Sequence, residues 1–382
     1  MHPKPLKKIQ MVDLQSQYVE LKLELDAAIA EVLEEAQFIK GRQIRSFENN
    51  LATYLHVNHV IACANGTDAL QIAMMALDLK PGDEIITTSF TYVATAEVMG
   101  LLGLVPVLIE VDAETFNMDA NKIEAAITSK TKAIVPVHLF GQIADMEPIL
   151  HIAKAHDIYV IEDTAQAIGA AYSFKDGTVK YAGTMGNIGT TSFFPSKNLG
   201  CYGDGGAIFC NDDELAKKIR MIANHGQSVQ YTHDIIGVNS RLDTIQAAIL
   251  DVKLKYLSAY NAKRSNIAKK YDAAFAGINA LTIPKKSTFG THVYHQYTLK
   301  VNNGDRDGLR SYLAEQGIPS MVYYPKPLHH QKAFTSAVFD AEELKLTEAL
   351  CTQVLSLPMS PNLEGDQQEY IIEHVKHYLN TK

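Results

Sequence analysis

Residues 159–172 read YVIEDTAQAIGAAY, and residues 189–210 read GTTSFFPSKNLGCYGDGGAIFC. The first stretch is led by an apolar run, Ile158 to Ile161, that ends in Glu162-Asp163. A short apolar run that delivers a carboxylate is the pattern of a buried parallel strand. The second runs apolar and aromatic from Thr190 to Phe194, then passes through Pro195-Ser196-Lys197 into a glycine-dense loop. Ligands in open α/β sheets sit beyond the C-terminal ends of strands. An acid, Asp163, and a lysine, Lys197, are therefore expected to face one pocket from neighbouring strand ends.

Most lysines are solvated surface residues. Phe193, Phe194, Pro195 and Leu199 make a poor setting for one here. A half-buried amine has a depressed pKa and serves as nucleophile or base. A lysine that forms a Schiff base and an acid that pairs with a pyridinium nitrogen are the two groups pyridoxal phosphate most needs from a protein.

Working outward, helix and strand patterns alternate. Residues 15–37 and 44–55 have helical spacing. A strand over 60–63 turns at Asn65-Gly66 and opens a helix at Thr67-Asp68, a capped terminus able to hold a phosphate. Strands are expected over 84–87, 105–111, 133–137 and 159–162, with helices over 91–102, 120–127 and 146–156 between them. Strands over 189–194 and 207–210 and a helix over 213–224 follow. This order predicts an α/β fold with a mostly parallel sheet and helices on both faces. Residues 241–275 read as one long helix or two in series. Beyond them an α+β unit is expected: a strand at 294–301, a helix at 306–316, an extended segment at 321–324, and helices near 341–350 and 367–379. The division expected is a large domain over 1–250 and a smaller one over 251–382.

Bulk properties narrow the function. The chain has 382 residues, 47% hydrophobic and 20% charged, as in ordinary globular proteins. Thirty-five basic against 43 acidic residues give a net charge of −8 with no basic block, which argues against nucleic-acid binding. Cys63, Cys201, Cys210 and Cys351 form no C-x-x-C pair and read as small buried residues in a reducing cytosol. The basic N-terminal stretch lacks the apolar core of a signal peptide. The longest apolar stretch, 98–109, is broken by Pro106 and too short to span a bilayer. A cytoplasmic protein without a membrane partner is expected. His329 and His330 are adjacent, an arrangement expected to prevent both from ligating one ion, so no metal is expected.

Four motifs carry a resemblance: NGTDAL at 65–70, EDTAQA at 162–167, SFFPSK at 192–197 followed by GDGGA at 203–207, and GVNSRLDTIQAAIL at 237–250. In order and spacing they resemble the DegT/DnrJ/EryC1/StrS family of sugar-nucleotide aminotransferases, and the likeness covers nearly the whole chain. The resemblance implies the fold-type I pyridoxal-phosphate architecture, with a seven-stranded sheet and a smaller C-terminal domain. It implies that Lys197 holds pyridoxal 5'-phosphate through a Schiff base and serves as base and acid. Asp163 would pair with the pyridine nitrogen, Gln166 would face the same ring, and Tyr92 would lie over it. Ser192 and the Gly66–Thr67 turn would hold the phosphate, together with Asn239 from a neighbouring subunit. A homodimer with composite sites follows. Arg241, Tyr323 and His329 would face the substrate, Tyr323 standing where some relatives have histidine.

The phrases around these motifs are most similar to enzymes that aminate C3 of UDP-2-acetamido-2-deoxy-3-oxo-glucuronate for O-antigen and lipopolysaccharide assembly, with L-glutamate as donor. A dTDP-3-keto-6-deoxyhexose or a UDP-4-keto sugar is the alternative substrate. A dehydratase or a non-catalytic regulator on the same scaffold is the alternative class. Dehydratases of the family replace the lysine with histidine, and Lys197 argues against that chemistry.

Overall fold

A computed structural model describes residues 7–302 and 304–381. The start of the N-terminal stretch read above, residues 1–6, lies outside them. Two helices, α1 (Leu14–Glu35) and α2 (Arg42–Leu55), lead into a seven-stranded sheet. Its strands are β1 (His59–Cys63), β2 (Glu84–Thr88), β3 (Val105–Ile109), β4 (Thr131–Ile134), β5 (Tyr159–Asp163), β6 (Ile188–Ser192) and β7 (Gly206–Cys210). Their order across the sheet is β1-β7-β6-β5-β4-β2-β3. Only β7 runs against its neighbours, β1 and β6; every other pair is parallel. The mostly parallel seven-stranded α/β sheet is the one expected.

The sheet is buried on both faces, which is why its strands read as continuous apolar runs rather than alternating ones. One face packs Ile61, Ile85, Val135, Ile161 and Ile208 against α3 (Gly66–Ala76), α4 (Ala94–Leu101) and the helix Asp213–Ile222. The other face packs Ile86, Val107, Ile134 and Val160 against the helix Met146–Ala155. Helices Thr244–Leu254 and Leu257–Phe275 follow in series. The second of them shares a core of Tyr271, Phe275, Leu299, Leu357 and Val375 with a small antiparallel sheet of Leu281–Thr282, Tyr297–Val301 and Val354–Leu357.

Several expected elements come out shorter. The helix expected over 91–102 begins only at Ala94, because residues 89–93 form a turn that leaves Tyr92 57% exposed. The helix over 120–127 is a 3-10 turn, Ala120–Lys122, followed by one turn of α-helix, Ile123–Ala126. The extended segment over 321–324 makes one bridge, Met321 to Ser356, and no strand. The fully buried strand Val354–Leu357 lies beyond the helix expected near 341–350, where no element was expected. All four cysteines are buried and free. Among the described residues no helix is long and apolar enough to cross a membrane.

Candidate active site

The parallel register of β5 and β6 sets Asp163 directly opposite Thr190. The backbone at Asp163 is held on both sides: its N–H donates to Pro136 O at 3.0 Å, and its carbonyl accepts from His138 N at 3.0 Å. The buried carboxylate is aimed by two further bonds. Thr95 Oγ1 donates to Oδ2 at 2.9 Å, and Ala165 N donates to Oδ1 at 3.1 Å. The second bond is the local turn that an aspartate at a strand end favours.

Its neighbour Glu162 points to the other side of the strand and has a structural part. The carboxylate accepts from Gly183 N, Met185 N and Gly186 N at 2.8, 2.7 and 2.6 Å, and from His138 Nε2 at 3.0 Å. His138 Nδ1 accepts from Ala144 N at 3.1 Å, so the imidazole is neutral and carries its proton on Nε2. Both side chains are fully buried. Glu162→Ala leaves four buried donors without a partner and is expected to cost about 3–5 kcal/mol. Urea denaturation checks this; a loss below about 1 kcal/mol would mean that water replaces the carboxylate at little cost.

Lys197 stands in the tight loop after β6. Its N–H donates to Phe194 O at 2.8 Å, and Cys201 N returns to Phe193 O at 2.8 Å. The next residue, Asn198, is buried and anchored to Asn261 Oδ1 at 2.8 Å and Val293 O at 3.0 Å. Lys253 reaches across to donate to Gly200 O at 2.7 Å. The loop that presents the amine is thus clamped at three points. Burial lowers the Lys197 pKa to about 8, and the Asp163 charge offsets part of that fall. The unfolded amine titrates near 10.5, so the unfolded chain binds more protons between pH 8 and 10.5. Stability contributed by this group therefore rises with pH through that window. In protein freed of ligand, acylation of the Lys197 amine is expected to have its midpoint near pH 8. A midpoint like that of a surface lysine would contradict the buried setting.

At the other end of the site, α3 begins at Gly66 with Asn65 as cap, whose side chain accepts from Asp68 N at 2.8 Å. A helix start presents unpaired N–H groups, a suitable seat for an anion. Gly66 lies against Ser192: a Cβ at Gly66 would stand 2.7 Å from Ser192 Cβ. Only glycine permits that approach, which brings the Gly66–Thr67 turn and the Ser192 hydroxyl to one place.

Gln166 lies one turn beyond Asp163. Its Oε1 accepts from Phe140 N at 2.8 Å, and its Nε2 donates to Tyr324 Oη at 3.1 Å. The Tyr324 ring lies 6.3 Å from that of Tyr92 and 6.1 Å from that of Phe90. Tyr324, Thr95 and His295 are the residues that sequence reasoning missed. The tyrosine pair offers no signal for which member turns inward, and Thr95 and His295 carry no spacing that marks them. His295 is buried, with Nδ1 lacking a partner among the described residues; burial and the nearby Lys197 charge hold it well below the usual histidine pKa.

Tyr323 is half-buried beside Tyr324. Asn239 is exposed, and Arg241 lines a cleft of about 280 Å³ with Lys40, Arg45 and Arg220. Within this chain neither Asp163, Ser192 nor Lys197 lines that cleft. His329 has both ring nitrogens engaged, Nδ1 with Ser89 Oγ at 2.7 Å and Nε2 with Glu348 at 3.4 Å. The 3-10 turn Leu328–His330 brings ring nitrogens of His329 and His330 to the same carboxylate, that of Glu348.

The family described as DegT/DnrJ/EryC1/StrS aminotransferase matches residues 20–376. A Geobacillus stearothermophilus protein named pleiotropic regulatory protein is 46% identical over 372 residues, 97% of this chain and 98% of its own length. The UDP-2-acetamido-2-deoxy-3-oxo-D-glucuronate aminotransferase of Pseudomonas aeruginosa is 46% identical over 356 residues, 93% of this chain and 96% of its own. A crystal structure of a family aminotransferase from Brucella abortus has a TM-score of 0.92 at 41% identity, covering 97% of this chain and 99% of that one. Solved relatives from Bacillus subtilis and Streptococcus pneumoniae carry pyridoxamine or pyridoxal phosphate.

Proposed function

The chain belongs to the DegT/DnrJ/EryC1/StrS aminotransferase family, and from that premise we propose that it moves an amino group from L-glutamate to C3 of UDP-2-acetamido-2-deoxy-3-oxo-glucuronate. The protein is a pyridoxal-phosphate-dependent sugar aminotransferase. The observation that carries the reading is a half-buried lysine whose pKa is lowered and which feels the charge of an aimed carboxylate, with a glycine cradle beside them. Those features fit the cofactor: a lysine for its aldehyde carbon, an acid for its ring nitrogen, and a helix start for its phosphate.

Bound pyridoxal phosphate supplies an electron sink that stabilises negative charge at the carbon losing a proton. The chain supplies the rest. Asp163 holds a proton on the ring nitrogen, and Thr95 and Ala165 hold Asp163. Gly66, Thr67 and Ser192 seat the phosphate, with Asn239 reaching in from the partner of a homodimer. Gln166 and Tyr92 bound the ring. Lys197 Nζ takes a proton from the donor's α-carbon and later returns one to the sugar carbon that accepts nitrogen. An amine with a pKa of about 8 is near the operating pH, where such transfers are most efficient.

We assign Arg241 of the partner to the sugar carboxylate and Tyr323 to the sugar ring. His329 acts indirectly, by fixing Ser89 at the start of the turn that carries Tyr92. The division into 1–250 and 251–382, a cytoplasmic location and a place in O-antigen supply belong to the same proposal. The regulator named among the relatives does not shift it, because both the lysine and the acid are present here. Arg241→Ala is expected to raise KM for the uronate sugar roughly 10–100-fold, the worth of a charge-assisted hydrogen bond. KM for a dTDP-3-keto-6-deoxyhexose, whose sugar carries no carboxylate, should be unaffected. Equal losses for both sugars would remove the carboxylate from the proposal.

A further inference from the structure

We propose that His329, His330 and Glu348 form a binding site for one divalent transition-metal ion of the zinc class. His330 Nε2 lies 3.0 Å and His329 Nε2 3.4 Å from the same oxygen, Glu348 Oε1. The three ligand atoms all lie within 4.8 Å of one another. A tetrahedral ion with bonds of about 2.0–2.1 Å holds its ligand atoms about 3.3 Å apart, close to both histidine–carboxylate separations.

The surroundings orient the ligands. His329 has a side chain only 1% exposed, and its Nδ1 lies 2.7 Å from Ser89 Oγ. That same oxygen accepts the His329 backbone N–H at 3.3 Å. With the ring proton on Nδ1, the second Ser89 lone pair accepts Nδ1–H and the Nε2 lone pair is directed at Glu348. A histidine that donates through one nitrogen and ligates through the other is the usual arrangement at metal sites. Lys345 sits 4.0 Å from the other oxygen, Oε2, and leaves Oε1 to the ion. Two imidazoles and one carboxylate suit zinc, cobalt or nickel better than magnesium or calcium. His330 is 49% exposed, so ions enter from its side and solvent completes the coordination. The bound ion would tie the turn Leu328–His330 and the helix Lys345–Gln353 to Ser89, at the foot of the turn carrying Tyr92.

The alternative is a cluster without an ion, in which the Ser89 hydroxyl donates to Nδ1 and both Nε2–H groups donate to Glu348. Cobalt separates the two. Full-length protein with its pyridoxal phosphate, freed of any affinity tag and dialysed against chelator, is titrated with Co²⁺. The expected result is one ion per chain, a saturable visible d–d band of four-coordinate intensity that zinc displaces, and a raised thermal midpoint. His330→Ala and Glu348→Gln should each weaken binding by more than about 100-fold. Far-UV circular dichroism confirms that both variants are folded. No saturable band, or a band that survives in both folded variants, overturns the proposal.

Discussion

Lys197→Ala is expected to keep pyridoxal phosphate bound while losing at least about 10⁴-fold in the rate of amino transfer. Among the described residues, its amine is the one whose pKa burial lowers to about 8 and on which the Asp163 charge acts. The nearby groups offer no substitute. His295 is held neutral far below its ordinary pKa, and burial pushes the Tyr324 hydroxyl well above the tyrosine range. The seat for the phosphate, Gly66 with Ser192, does not involve the lysine side chain, so cofactor should remain after gel filtration. Single-turnover formation of 2-oxoglutarate from glutamate measures the loss. A variant within tenfold of the native rate would show that another residue carries the proton.

Asp163→Asn should cost roughly 10³-fold in the same assay, equivalent to about 4 kcal/mol. The substitution preserves size and keeps an oxygen to accept from Thr95 Oγ1, giving up only the bond from Ala165 N, so the strand end stays folded. What disappears is the negative charge that holds a proton on the ring nitrogen, and with it the electron sink. The same charge raises the Lys197 pKa against the effect of burial. Acylation of the variant's lysine should therefore have its midpoint below pH 8. A rate loss with no shift in that midpoint would mean that Asp163 and Lys197 do not face one pocket.

Much of this was legible before any coordinates. The strands of the large sheet are buried on both faces, so they announce themselves as short apolar runs between turn residues. The two catalytic candidates end such runs, where a ligand is expected. Tyr324 was missed because a YY pair in an irregular segment has no period to show which ring turns inward. Thr95 was missed because its value lies in a bond to Asp163, 68 residues away. The Glu162–His138 pair was missed for the same reason: a carboxylate that satisfies three loop N–H groups is defined by the loop's path. The convergence of His329 and His330 depends on a 3-10 turn that the sequence does not mark.

The measurement that bears most directly on the account uses the intact protein loaded with pyridoxal phosphate. It is incubated with L-glutamate, freed of glutamate and 2-oxoglutarate, and mixed with UDP-2-acetamido-2-deoxy-3-oxo-glucuronate. Mass spectrometry should find one 3-amino sugar nucleotide per active site, with the visible band of bound pyridoxal phosphate lost in the first step and regained in the second. Failure of glutamate to alter that band, or of any keto sugar nucleotide to gain nitrogen, would contradict the account at its centre.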